Sequence, residues 1–265
     1  MLIVAERINA SRKAIHAALE QLDANTIQAE ARRQTAAGAH YIDVNGGTFP
    51  RREAELLSWL VDVVQEVTDL PLCVDSPDPA ALAAALPKVK QARPMINSIT
   101  LEGDRFANVI ALAREYKAKL IALCQGEGLP ASTVENKVAL ASQLIDRLTA
   151  GGIALDDLYV DPLVFPLATD PRSGEATLAA ISEVMRRYPG VHTICGLTNV
   201  SHGLPARKLM NRTFLVAAIS HGMDTVIADP TDAALMASIL AGEALLGRDE
   251  YCMDFIQGFQ DGKLA

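Results

Sequence analysis

The sequence predicts a (β/α)8 TIM barrel of the α/β class, and three observations carry that expectation. Short apolar runs recur eight times, each ending in a carboxylate or a carboxamide: Leu2 to Glu6 and Asn9, Tyr41 to Asp43 and Asn45, Leu72 to Asp75, Met95 to Asn97, Leu120 to Gln125, Leu158 to Asp161, Thr193 to Asn199, and Thr225 to Asp229. Their Val, Ile and Leu alternate little with polar residues, as suits parallel strands covered on both faces. Helix-length amphipathic stretches separate the runs, so the chain reads β, α, β, α throughout. A barrel of this kind needs about 250 residues, and the chain has 265. In that architecture functional groups come from the carboxyl ends of the strands, so the polar tips are expected to converge on one mouth.

The elements follow in order. A first helix is expected from Arg12 to Leu22 and a second from Asn25 to Ala37, where Gly38 supplies a stop. Further helices are expected over Arg51 to Val67, Pro79 to Leu86, Arg105 to Tyr116, Val134 to Ala150, Gly174 to Tyr188, Leu209 to His221 and Asp232 to Leu246. Asp78 before Pro79, and Ser132 or Thr133 before Val134, have N-cap chemistry, while Gly151 and Gly152 end the helix that starts at Val134. Asp249 to Phe259 has helical spacing and is expected to pack as one more helix. No Pro- or Ser-rich linker or shift of composition divides the chain, so residues 1–265 are expected to form a single domain. The loops GGTFPRR (46–52) and QGEGLPAS (125–132) are rich in Gly and Pro, which suits either mobile covers over a substrate or rigid turns.

Composition excludes several classes. Net charge is −8 with scattered Lys and Arg, so the basic stripe that nucleic acid requires is missing. No run approaches the roughly 20 apolar residues of a membrane span, and Glu6 and Arg7 interrupt the apolar N-terminus too soon for a signal sequence. Cys73, Cys124, Cys195 and Cys252 stand far apart, without the close pairs of zinc or iron–sulfur ligation. They read as small buried side chains of a reduced, cytoplasmic protein, and no metal is expected.

Asp75 in LCVDSPD and Asp161 in LYVDPL directly follow strand cores, with Asn97 in MINS and Asn199 in GLTNVS in matching places. Each alone reads as a turn-bonding group. Together they furnish acceptors and donors at one mouth, with no strong nucleophile and no His dyad. Such a mouth suits a planar heterocycle such as a pterin, whose 2-amino and N3–H groups form a donor pair that one carboxylate accepts in a bidentate manner.

ERIN at 6–9, YIDVN at 41–45, LCVDS at 72–76, MINS at 95–98, DLYVDPL at 157–163, GLTNVSHGLPARKLMNRTFL at 196–215, HGMDTVIAD at 221–229 and YCMDF at 251–255 resemble the pterin-binding methyltransferase family along the whole chain. Members move a methyl group between methyltetrahydrofolate and the cobalt of a corrinoid protein. The chain also resembles the folate-binding module of cobalamin-dependent methionine synthase. The resemblance implies a dihydropteroate-synthase-like barrel, methyltetrahydrofolate or tetrahydrofolate as substrate, a cobalamin carried on a partner protein, and a homodimer. It implies that Asp75, Asn97 and Asp161 hold the pterin and that Asn199 reaches N5, the nitrogen that carries the methyl. Gly196 and Thr198 match a Gly and a usual Ser beside it, Thr198 keeping the hydroxyl. Asp43 and Asn45 lie in a motif at the mouth.

Methyl transfer from a tertiary amine requires N5 to become a better leaving group, through a proton or a hydrogen bond that strengthens as C–N breaks. Reduced Co(I) is the nucleophile in the folate-to-cobalt direction, so the protein needs none of its own. His202, three residues after Asn199, reads either as a proton relay at the mouth or, by preference, as a loop histidine bonding backbone, and His221 is expected to end a helix. Arg207, Lys208 and Arg212 fit a folate glutamate tail, an acidic corrinoid protein, or solvent.

Two other functions compete. Dihydropteroate synthases carry a Gly-x-Ser-Arg-Lys motif at the seventh strand, where this chain has GLTNVS. A non-catalytic pterin-binding subunit is the second rival, and Asn199 beside Asp75 and Asp161 argues against it. No Asp-x-His-x-x-Gly corrinoid motif occurs, so cobalt is expected on a separate protein.

Overall fold

The computed structural model describes residues 1–49, 51–126 and 128–264. Among these, β1 (Leu2–Asn9), β2 (Tyr41–Asn45), β3 (Leu72–Asp75), β4 (Met95–Ile99), β5 (Lys119–Leu123), β6 (Leu158–Asp161), β7 (His192–Thr193) and β8 (Thr225–Ala228) form one parallel sheet in the order β7-β6-β5-β4-β3-β2-β1-β8. The two end strands meet through a bridge between Gly196 and Ile227, where the Ile227 N–H donates to Cys195 O at 3.0 Å. The sheet thereby rolls into a barrel.

Helices α1 (Lys13–Gln21), α2 (Ala24–Ala36), α3 (Glu53–Val64), α4 (Pro79–Ala85), α5 (Gly103–Glu115), α6 (Val134–Ala150), α7 (Ser173–Arg187), α8 (Arg207–Ser220), α9 (Ala233–Leu245) and α10 (Met253–Gln260) surround or follow it. Caps set several starts. Asp78 accepts the Ala80 N–H, Thr133 the Asn136 N–H, and Asp23 and Asp232 those of Thr26 and Leu235. Gly38 at φ +93° and Gly152 at φ +90° carry the left-handed exits after α2 and α6.

Two apolar layers explain why the strands alternate so little. Residues facing outward, such as Ala5, Ile42, Val74, Ile96, Ala122 and Val160, pack against the helices. Those facing inward fill the barrel with one plug: Val4, Tyr41, Cys73, Met95, Ile121, Tyr159, Ile194 and Ile227. The plug is a packed floor, as in barrels of this size.

Three expectations are corrected. The seventh run does not continue as a strand to Asn199; β7 has only two residues, and a 3-10 turn spans Leu197–Asn199. The tail starts with a 3-10 turn at Glu250–Cys252, and its helix begins only at Met253. Cys252 is exposed, unlike the buried Cys73, Cys124 and Cys195, because that turn lies outside the barrel wall. No helix among the described residues is long and apolar enough to cross a membrane. Pro50 and Glu127, in the two Gly- and Pro-rich loops, and Ala265 at the end of the expected domain lie outside the described residues.

Ile121 is 1% exposed at the centre of the plug. Ile121→Ala is expected to destabilise by about 2–5 kcal/mol, because the lost transfer energy adds to that of an unfilled cavity. Urea unfolding should show a lower midpoint at unchanged slope; an unchanged midpoint would show that the plug repacks freely.

Candidate functional site at the carboxyl end of the barrel

Side chains alternate along a strand, so the residue two places beyond each plug residue also faces inward, one layer higher. Those positions are Glu6, Asp43, Asp75, Asn97, Leu123, Asp161, Gly196 and Asp229, and every one lines a cavity of about 870 Å³ at the mouth. Asn9, Thr198, Asn199, His202 and Arg207 complete its wall. The structure therefore brings Asp75, Asn97, Asp161, Gly196, Thr198 and Asn199 to one place. It leaves Gln125 out. The inward position on β5 is Leu123, while Gln125 is exposed and donates to Glu102 at 2.8 Å.

Asn9 reaches the cavity through a bulge. Ala5 pairs with Ile42 and Ile8 with Val44, so the pairing of β1 with β2 shifts between Ala5 and Ile8. Strict alternation would point Ile8 inward with Glu6. The shift returns Ile8 to the outer core and turns Asn9 to the mouth. The polar extra residue, Arg7, is held by Glu30 and Asp229, each at 2.5 Å.

The carboxylates divide by environment. Burial raises Asp161 to about 6, against the N–H groups of Leu163 and Gly196 and the charge of Lys137, which favour its ionised form. Burial also lifts Asp75 to about 6, opposed by Asn45, whose Nδ2 donates to Asp75 Oδ2 at 2.8 Å, and by the Arg105 charge. Asp43 lies well above the usual carboxylate range through burial and the neighbouring Asp75 charge, and it accepts from Asn97 Nδ2 at 3.4 Å. Glu6 rises to about 7 by burial, with Arg12 opposing and Asp229 adding to the rise. Asp229 behaves oppositely. Half-buried, it is kept below its usual value by hydrogen bonds from Thr231 and Arg7, which outweigh the effect of burial.

A different device positions Asn199. The 3-10 turn at Leu197–Asn199 is fastened by Arg207, which donates to Thr198 O at 2.8 Å and to Ser201 Oγ at 3.1 Å. A Cβ on Gly196 would stand 3.2 Å from Asn199 Nδ2, a tight contact that would press the carboxamide away from the barrel wall by a few tenths of an ångström. Asn199 is exposed to the mouth, and among the described residues its carboxamide has no protein partner. Thr198 Oγ1 lies 3.5 Å from Glu6 Oε2.

His202 stands at the rim with no ring hydrogen bond among the described residues, which corrects the expectation that it bonds backbone. Its turn is instead closed by backbone, His202 N–H donating to Asn199 O at 3.1 Å. His221 ends α8 and bonds Ala217 O at 2.8 Å. Arg212 is paired with Asp232 at 2.5 Å, and Arg207 is bonded as above, so neither is merely solvated. Sequence reasoning underrated Glu6 and Asp43. The signal available was their place two residues beyond an inward apolar residue.

Chemically, the mouth offers carboxylates poised near neutrality, paired carboxamides and an unpartnered amide, over a dry floor. No group of three or more His, Cys, Asp or Glu among the described residues is arranged to hold a metal ion. The donor set matches a flat, hydrogen-bonding ligand that brings its own N–H groups.

Comparison with known proteins agrees with that reading. The pterin binding enzyme family matches residues 5–229. The chain is 37% identical over 268 residues to a methylcorrinoid:tetrahydrofolate methyltransferase of Eubacterium limosum, covering 100% of this chain and 98% of that one. It is 33% identical over 240 residues to a methionine synthase of Mycobacterium tuberculosis, covering 86% of this chain but 20% of that protein. Among solved structures, a dihydropteroate synthase of Xanthomonas albilineans in complex with 7,8-dihydropteroate superposes with a TM-score of 0.69 at 18% identity, over 92% of this chain and 94% of that one. A dihydropteroate synthase of Yersinia pestis gives 0.65 at 18% identity, over 93% of each chain. These two establish likeness of fold.

Glu6 generates a test of the site's electrostatics. Its folded value of about 7 lies above the ordinary 4.5, so the folded chain holds a proton that the unfolded chain releases earlier. The sign follows: Glu6 costs nothing below about pH 4.5 and destabilises increasingly as pH rises through 7. Glu6→Gln should therefore gain on wild type by on the order of 1–2 kcal/mol between pH 5 and pH 8. Urea unfolding at the two pH values reads this; an equal difference at both would mean Glu6 is ionised throughout.

Proposed function

We propose, from the premise that this chain belongs to the pterin-binding enzyme family, that it is a methyltransferase acting between the N5 nitrogen of tetrahydrofolate and the cobalt of a corrinoid carried on a separate protein. One observation carries the reading. Asp75, Asn97 and Asp161 line a cavity in which, among the described residues, the Asn199 carboxamide has no protein partner and neither a cysteine nor a Ser–His pair stands. Asp161 accepts the Leu163 N–H on Oδ1 at 2.7 Å. Its remaining lone pairs accept the pterin 2-amino and N3–H groups, and Asn97 and Asp75 bind the other edge.

The relative from Eubacterium limosum is named for transfer from methylcorrinoid to tetrahydrofolate, and that direction is the one proposed. The N5 lone pair attacks the cobalt-bound methyl, the C–N bond forms, and the Co–C electron pair stays with cobalt as Co(I). N5 then carries both methyl and proton, and the proton leaves to give methyltetrahydrofolate. In reverse, Co(I) attacks the methyl of protonated N5. Positive charge builds at N5 in the forward direction and is discharged in reverse, so N5 is partly positive and carries a proton in the shared transition state, and the Asn199 carbonyl oxygen accepts from that N–H without taking the proton. Fixing the pterin ring against Asp161 and Asn97 aligns N5 with the incoming methyl, which lowers the entropic part of the barrel's task. Glu6, His202 and Lys208 also line the cavity into which the methyl must be delivered.

The working form proposed is a cytoplasmic homodimer. Large apolar side chains exposed at Leu245, Tyr251, Met253 and Phe259 support self-association, and sedimentation at working concentration distinguishes it from a monomer.

The decisive assay mixes the protein with tetrahydrofolate and methylcob(III)alamin, free or on a corrinoid protein. Methyltetrahydrofolate and Co(I) should form together and only when all three are present. Methyl transfer without corrinoid, or binding of folate with no transfer, would overturn the reading. Asn199→Ala should then separate binding from chemistry. Removing one transition-state hydrogen bond costs about 10²–10³ in rate in well-studied enzymes, while folate affinity should fall much less. Single-turnover rates beside equilibrium binding give the comparison, and equal losses would make Asn199 a binding residue only.

A further inference from the structure

Lys137 is a charged side chain with 0% exposure, on α6, outside the cavity and used by no step above. An ammonium taken out of water must find acceptors. Its Nζ donates to Pro162 O at 2.9 Å and to Leu163 O at 2.6 Å, and it stands 5.3 Å from the centroid of the Phe165 ring. The two carbonyls belong to the residues that directly follow Asp161. Leu163 in turn aims its N–H at Asp161 Oδ1 at 2.7 Å, and it does so at φ +59°, a left-handed conformation that leucine avoids. Local sequence does not choose that turn. The buried ammonium grips it from behind, so that one carboxylate oxygen is tied down and the rest of the group is presented to the mouth.

We propose that Lys137 is a positioning residue for the pterin-reading carboxylate, which through two carbonyls fixes the turn at 161–163 and through its charge keeps Asp161 ionised when folate binds. The inference rests on the reading of Asp161 as the group that holds the pterin. The titratable and charged groups facing Lys137 are Asp161 at the end of β6, Cys124 after β5 and Asp170 in the connection to α7. Burial brings the ammonium down to about 8, with Asp161 the foremost of the groups that oppose the fall. Asp161 in turn is held lower by Lys137 than burial alone would leave it. Coupling of this kind is reciprocal.

The experiment measures methyltetrahydrofolate affinity of the full chain from pH 5 to pH 8. Below about 6 the wild type should lose affinity as Asp161 gains a proton and can no longer accept two N–H groups. Lys137→Gln retains donors for the carbonyls and removes the charge, so this acid fall should move up by about one pH unit or more. Lys137→Arg keeps the charge and should leave it in place. An unmoved fall in Lys137→Gln overturns the proposal, since a merely structural lysine would lower stability and leave the profile where it was. A second measurement covers a glutamine variant that does not fold. Carbon-13 NMR of labelled lysine should find that Lys137 loses its proton at lower pH in Asp161→Asn than in the wild type, and equal titrations overturn the charge coupling. Absence of methyltetrahydrofolate binding by the wild type at every pH is a different result, one that removes the reading of the site and the role of Lys137 with it.

Discussion

Four carboxylic acids, Glu6, Asp43, Asp75 and Asp161, stand above an apolar floor in one mouth, and most of what surrounds them answers the cost of that arrangement. Burial away from water disfavours each charge, neighbouring carboxylates add to the effect at Glu6, Asp43 and Asp75, and each of the four groups holds its proton more tightly. Asn45, Asn97 and the backbone N–H groups of Leu163 and Gly196 supply donors to three of them. Arg105 lies behind Asp75 and itself donates to Ser98 O at 2.8 Å. What these donors leave unmet is acceptor capacity, and in the proposed function a pterin edge with paired N–H groups supplies the missing partners. Stability given up in the empty mouth thus becomes affinity for a ligand of one hydrogen-bond pattern.

In the proposed function the same mouth separates binding from chemistry in space. Asp75, Asn97 and Asp161 rise from rigid strands whose outer faces are locked into the helical core. Asn199 instead comes from a 3-10 turn after the shortest strand, secured by Arg207 and lying close to Gly196. In the role proposed for it, answering charge on N5, Asn199 gains from standing on a short turn, while the groups proposed to hold the ring gain from strands. Supporting residues sit outside the barrel wall: Lys137 behind the Asp161 turn, and Arg7 between Glu30 and Asp229 where β1 meets β8.

The strand order, the helix boundaries to within a few residues and the gathering of most polar tips at one mouth were legible in the sequence, because they depend on periodicity and on residues adjacent in the chain. Apolar runs with a polar end give strands; Asp78 and Thr133 give helix starts; each needs only its own neighbours. The family likeness came from ordered motifs of the same local kind.

Which polar tip faces inward was decided only by tertiary structure. Alternation from the plug selects Leu123 over Gln125, a register shift against β2 returns Asn9 to the mouth, and a 3-10 turn after the Gly196–Ile227 bridge replaces strand before Asn199. Register is a relation between two strands far apart in sequence, and a slip of one residue exchanges the faces. The protonation of Glu6 and Asp43 has the same origin. A carboxylate's ordinary value is written in its chemistry, but the burial and neighbouring charges that move it exist only after eight strands have closed around it.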